Sequence, residues 1–179
     1  MEKEFGVTPV EFRRVCDHAG ALRHHDRMKL EAYLEQLERR ILPVALSVYF
    51  PNVNEPYALK RQAFWLLNHI NVAQAGFGGR EYLCDPEWLL ILVVDVRNAS
   101  ACFAWGYQLD PYIDINKINM SIMKASLTLR EGTLLQGICK TMKEATRQIV
   151  SRTRHVNASP EKHGLILAND QLFAKEENK

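Results

Sequence analysis

The chain has 179 residues, of which 47% are hydrophobic and 25% charged, with a formal net charge of +2. These values suit one globular domain with a sizeable core, and give no electrostatic reason to expect nucleic acid or an anionic membrane as partner. The four cysteines (Cys16, Cys84, Cys102, Cys139) are far apart without a Cys-x-x-Cys, which excludes the usual zinc pattern and a dense disulfide framework.

Residues 1–14 are charged and lack an apolar core, so no secretory signal is visible. No apolar run approaches the roughly 20 residues that span a bilayer. On these grounds the chain reads as cytoplasmic, or as an exported or membrane-tethered protein trimmed of its targeting segment.

Thr8-Pro9-Val10-Glu11 predicts a helix start, with Thr8 as cap, Pro9 in the first turn and Glu11 at the capping-box position, and Gly20 is its stop. A second helix is predicted from about Asp26 to Ile41, because Leu30, Leu34, Leu37 and Ile41 recur every three or four residues. Val44 to Phe50 reads as a strand, followed by a turn rich in Pro and Asn. Tyr57 to Ile70 reads as a helix with Ala63, Phe64, Leu67 and Ile70 as its apolar stripe. Gly76, Gly78 and Gly79 then form a loop that leads to the most informative stretch of the chain, Trp88 to Asp110.

That stretch opens on an unbroken apolar run that suits a strand buried on both faces. Strand, helix, strand in sequence predicts a right-handed parallel crossover. The partner strand, Ala101 to Tyr107, follows too soon for a helix to intervene, so the two strands should form an antiparallel hairpin turning near Asn98. Two more helices are predicted, Pro111 to about Ser126 and Gly132 to Arg152. The first carries Ile115, Ile118, Ile122 and Ala125, and the second carries Leu135, Ile138, Met142, Ala145 and Ile149. The domain is expected to occupy residues 1–155, with 156–179 as a loosely held tail.

The order of landmarks over about residues 15–150 resembles the TPM domain family, also called the TPM phosphatase domain. Val15-Cys16-Asp17-His18-Ala19-Gly20-Ala21-Leu22 stands where the family has a Val-x-Asp-x-Ala-Gly-x-Leu-like motif. Asp95-Val96-Arg97 stands at the Asp-Asp-Arg-like turn, and Gly106-Tyr107-Gln108-Leu109-Asp110 at a Gly-Tyr-Gly-Leu-Glu-like motif. Arg130-Glu131-Gly132 and Gly137-Ile138 fill the last landmark, and Asp85-Pro86-Glu87 replaces the loop's usual Asp-Asn-Gly. The resemblance implies a single-domain three-layer α/β/α sandwich with a central mixed sheet of about four strands. It also implies an accessory module that binds a divalent cation, calcium or magnesium, or alternatively a weak metal-dependent acid phosphatase.

Simple hairpin geometry sorts the candidate acids. The nine residues between Asp85 and Asp95 span roughly 30 Å when fully extended. Asp85 and Asp110 therefore fall at one edge of the sheet, with Asp95 and Arg97 at the other. The first pair, with Asp114, is the better candidate for a hard cation, which needs several oxygens at close range. Asp95 with Arg97 is a second strand-end candidate.

Other motifs are poorer. An aspartyl-phosphate nucleophile at Asp95 would want a second acid two residues on, where Arg97 stands. Cys16 and Arg23 are one residue too far apart for a cysteine phosphatase loop, and His24 and His25 point apart. Lys140, Lys143 and Arg147 form a basic face on the last helix that is best read as solvated. A protein partner is expected, and nucleic acid is not.

Overall fold

The apolar run ahead of Asp95 is the strand around which the rest is arranged. The computed structural model describes residues 10–11, 13–52, 59–71, 85–130 and 134–156. The strands are β1 (Val10–Glu11), β2 (Val15–Asp17), β3 (Ala45–Phe50), β4 (Ile70–Asn71), β5 (Leu89–Asp95) and β6 (Ser100–Trp105). The helices are α1 (His24–Glu38), α2 (Leu59–His69), α3 (Ile115–Arg130) and α4 (Leu134–Val156). Short 3₁₀ turns at Pro86–Trp88 and Tyr107–Tyr112 bracket the hairpin.

The main sheet runs β2-β3-β5-β6. β2, β3 and β5 are parallel, and β6 is antiparallel to β5 with Leu92 opposite Phe103. Every residue of β5 is buried, because strand alternation sends its side chains into two cores. Leu90, Leu92 and Val94 pack with Leu46, Val48 and Phe50 under α1 and α4. Leu89, Ile91 and Val93 pack with Ala45 and Tyr49 against α2. The result is the expected α/β sandwich of three layers around a four-stranded mixed sheet.

The predicted stripes of α1 and α4 are largely the buried ones: Leu30, Leu34 and Leu37 in the first, with buried Ile41 just past its end, and Ile138, Met142, Ala145 and Ile149 in the second, where Leu135 is half-buried. Three expectations give way. The helix over residues 8–20 is replaced, where the structure describes it, by two short strands. β1 pairs in parallel with β4, and β2 pairs with β3 and buries Val15 and Cys16. A helix cap is worth only about 1 kcal/mol, less than the edge pairing and burial that β3 offers. α2 turns Leu59, Ala63, Trp65 and Leu66 inward and leaves Phe64 exposed. Residues 107–112 form a 3₁₀ turn, so α3 starts at Ile115, which is itself exposed.

The crossovers also depart from the simple rule. β2-α1-β3 and β3-α2-β5 step across the sheet in the same direction, yet α1 and α2 lie on opposite faces. The two connections therefore have opposite hands, and one of them is left-handed, against the strong right-handed preference. The Gly76–Gly79 loop and the chain beyond Val156 lie outside the described residues.

Two of the sequence motifs prove to hold corners of the fold. The Asp17 carboxylate accepts the backbone N–H groups of Ala21 and Leu22 at 2.9 and 2.8 Å, closing the turn into α1. Gly20 in that turn has φ +64°, a conformation that costs glycine little. Gly106 sits where a Cβ would lie 2.2 Å from the Glu87 carbonyl oxygen, so only glycine fits there.

Candidate functional site

The two ends of β5 carry different kinds of acid. At its carboxyl end Asp95 is 2% exposed. Its Oδ1 accepts the backbone N–H groups of Arg97 and Asn98 at 3.0 and 3.2 Å, and its Oδ2 accepts the Asn98 side-chain amide at 2.7 Å. The carboxylate thus holds the hairpin turn, where Ala99 takes φ 45°, while the Arg97 side chain is exposed.

At the amino end the acids face outward. Asp85 is exposed and caps the 3₁₀ turn by accepting the Glu87 N–H at 2.9 Å. Asp110 is exposed and accepts the Trp105 indole N–H at 2.7 Å. Gln108 donates to Glu87 at 3.2 Å, tying the two 3₁₀ turns together. A hydrogen bond to Glu87, reinforced by the charges of Glu87 and Asp85, raises the Tyr107 phenol above its ordinary pKa. Asp85 and Asp110 therefore share one edge and Asp95 lies at the other.

Asp114 is engaged elsewhere. It caps α3 by accepting the N–H groups of Asn116 and Lys117 at 3.1 and 3.4 Å, and it receives Arg152 of α4 at 3.2 Å. The Lys117 N–H bond leads the contacts that lower its pKa. Among the described residues, no three His, Cys, Asp or Glu side chains stand together as a metal-binding group.

The cysteine and tryptophan motifs pack into the fold. Burial pushes the Cys102 thiol up to about 12, and Cys16 is buried with its Sγ 3.5 Å from the Arg13 carbonyl. Trp65 stacks on His69 and Trp88 tilts against Tyr112. Lys140, Lys143 and Arg147 are exposed on α4.

The sequence reading missed a feature at the open side of the sheet. Among the described residues β6 is an edge strand, and a groove of about 590 Å³ runs along it between α2 and α3. Ala63, Phe64 and Leu67 wall one side, and Ile115, Ile122 and Met123 the other. Phe64, Ile115 and Met123 are 58%, 59% and 69% exposed.

The backbone at the floor of this groove can be assigned. Gly106 donates to the Leu89 carbonyl at 2.9 Å, which makes Leu89 and Gly106 a hydrogen-bonded pair of the antiparallel ladder. Such pairs alternate along the ladder. Ser100, Cys102 and Ala104 therefore bond inward to β5, while Ala101, Phe103 and Trp105 aim their N–H and C=O groups into the groove. Met123 is the signal the sequence offered, a large apolar residue that the expected α3 stripe leaves over, whereas Phe64, expected in the α2 stripe, is exposed.

The comparisons with known proteins bear on the fold. The NMR structure of the BA42 protein from the psychrophilic bacterium Bizionia argentinensis superposes with a TM-score of 0.59, covering 76% of this chain and 86% of that one at 9% identity. The solution structure of the N-terminal domain of a protein from P. gingivalis superposes with a TM-score of 0.56, covering 89% and 96% at 18% identity. Identities this low establish a shared α/β architecture alone. No family model and no curated protein matches the sequence.

Proposed function

We propose that this chain is an accessory module of the TPM type that engages a protein partner by taking an extended, apolar segment of it as an added strand along β6. The observation that carries this reading is the edge at Ala101, Phe103 and Trp105, unpaired among the described residues and set between two apolar helix walls. Strand addition draws affinity from such main-chain groups and specificity from flanking pockets. Exposed apolar residues grouped in this way usually mark an interaction surface. The groove's volume lies within the ~300–1,000 Å³ of sites that hold small ligands or side-chain anchors.

Peptides selected from a displayed random library against the purified chain provide the test. They should shift the amide resonances of β6, carry alternating apolar residues, and lose binding to Phe64→Asp and Met123→Asp variants. Selected peptides that map to another face, or that bind both variants as they bind wild type, overturn the reading.

The cation part of the proposal belongs to the amino edge. Glu87, Asp85 and Asp110 are acids of that edge, and calcium or magnesium held there would keep much of its water. A calcium titration followed by heteronuclear NMR should move Asp85, Glu87 and Asp110, and leave Asp95 still. The phosphatase alternative assigns a Lewis acid to the same edge, and equal background turnover in wild type, Asp85→Asn and Asp110→Asn removes it.

A further inference from the structure

A second cavity, of about 270 Å³, lies between α3 and α4 and shares no lining residue with the β6 groove. Helical spacing builds it from two facing stripes. Lys117, Ser121 and Lys124 recur at three and four residues along α3, and Gly137, Lys140, Glu144 and Gln148 do so along α4.

Its inner wall holds an anomaly. Gln148 is 7% exposed, and neither its Nε2 nor its Oε1 has a hydrogen-bond partner. A buried amide left unpaired costs about 1–3 kcal/mol, and its helical position, one residue before the buried Ile149, would suit an apolar side chain equally well. The neighbouring hydroxyls do not relieve it. Thr141 donates back to the Gly137 carbonyl at 2.8 Å and Ser121 to the Lys117 carbonyl at 3.0 Å.

The charges define what would satisfy the site. Among the described lining residues, three lysines stand against Glu144, and their ammonium groups supply donors only. Gln148 adds one donor group and one acceptor. The lysines call for an anionic oxygen group, while Oε1 of Gln148 and the Glu144 carboxylate call for a hydroxyl that donates. At about 30 Å³ per water, the volume corresponds to roughly nine waters, the size of a molecule with about ten non-hydrogen atoms.

We infer that the cavity between α3 and α4 is a binding site for a small hydroxylated organic anion, its phosphate or carboxylate held by Lys117, Lys124 and Lys140 and its hydroxyl by Gln148. The inference is independent of the β6 reading, and either can fail alone.

Two probes, glycerol 3-phosphate and malate, separate phosphate from carboxylate as the recognised group, with glycerol as the neutral control. Titration of the full chain, followed by heteronuclear NMR, should give saturable shifts at Gly137, Thr141 and the Gln148 side-chain amide with at least one anion and none with glycerol. Gln148→Leu should weaken that anion at least tenfold. The same variant should raise the melting temperature of the free chain, because it removes an unpaired amide, and should abolish the further rise that the anion gives wild type. Lys124→Ala with Lys140→Ala should weaken binding while leaving the free chain's melting temperature near that of wild type. Absence of saturable shifts with both anions, wild-type affinity in Gln148→Leu, or a lowered melting temperature of the free Gln148→Leu variant would each overturn the proposal.

Discussion

β5 and β6 are neighbours in one hairpin, joined residue by residue from Leu90–Trp105 to Asp95–Ser100, yet they do opposite work. β5 has strands on both sides and helices over both faces, so all its groups are spent on the fold. β6 has one side spent on β5, and the other, among the described residues, open to the groove between α2 and α3. A chain segment can be as apolar as its neighbour and still be the part left over for a partner. The quantity that separates them is backbone pairing, which hydropathy does not report.

Substitutions can break or sharpen that contrast. The largest effect is expected where the two strands are joined. Gly106→Ala would place a Cβ 2.2 Å from the Glu87 carbonyl oxygen, and backbone on both sides resists the shift. Chemical denaturation should show a loss of about 3 kcal/mol or more. Leu92→Ala at the middle of β5 should cost about 3 kcal/mol, since the strand is locked and the cavity cannot collapse.

Asp95→Asn removes the charge from an acceptor of three hydrogen bonds at the hairpin turn. It should cost about 1–2 kcal/mol and loosen the turn in hydrogen exchange without weakening a peptide bound along β6. Met123→Ala, on the groove wall, should change stability by less than about 0.5 kcal/mol while weakening the selected peptides. A stability loss there as large as that of Leu92→Ala would mean that the groove is part of the core.

The smallest effect belongs to Asp114. Its folded-state pKa is lowered, so its ionised form stabilises the fold at neutral pH and that contribution is lost as pH falls through the folded value. Asp114→Asn should melt slightly below wild type at pH 7, and the gap should close below about pH 4.

Much of this was legible in the sequence, and the misses have physical causes. The buried β5, the hairpin, α1 and α4 carry long periodic signals that tertiary packing has no reason to override. The division of acids between two edges followed from counting residues along an extended strand. β1 and β2 were read as helix because two- and three-residue strands owe their existence to β3 and β4, which lie far away in sequence. The 3₁₀ turn after Gly106 was absorbed into α3 because Pro111 resembles a helix start.

The candidate sites were less legible. Asp114 looks like a third ligand until Arg152, 38 residues on, claims it. Glu38 was passed over, yet it is a buried acid that accepts the Leu46 N–H at 2.9 Å and the Arg14 guanidinium at 2.8 Å, its pKa raised by burial. Gln148 could have been noticed as a polar residue beside an apolar stripe. Its lack of partners required the placement of α3.

Amide hydrogen exchange along β6 tests the central claim most directly. In the isolated chain, Ala101, Phe103 and Trp105 should exchange much faster than Cys102 and Ala104, and a bound extended peptide should slow those three and leave the other two unchanged. Uniform protection of all five amides in the isolated chain would show that the edge is already covered, and would contradict the account.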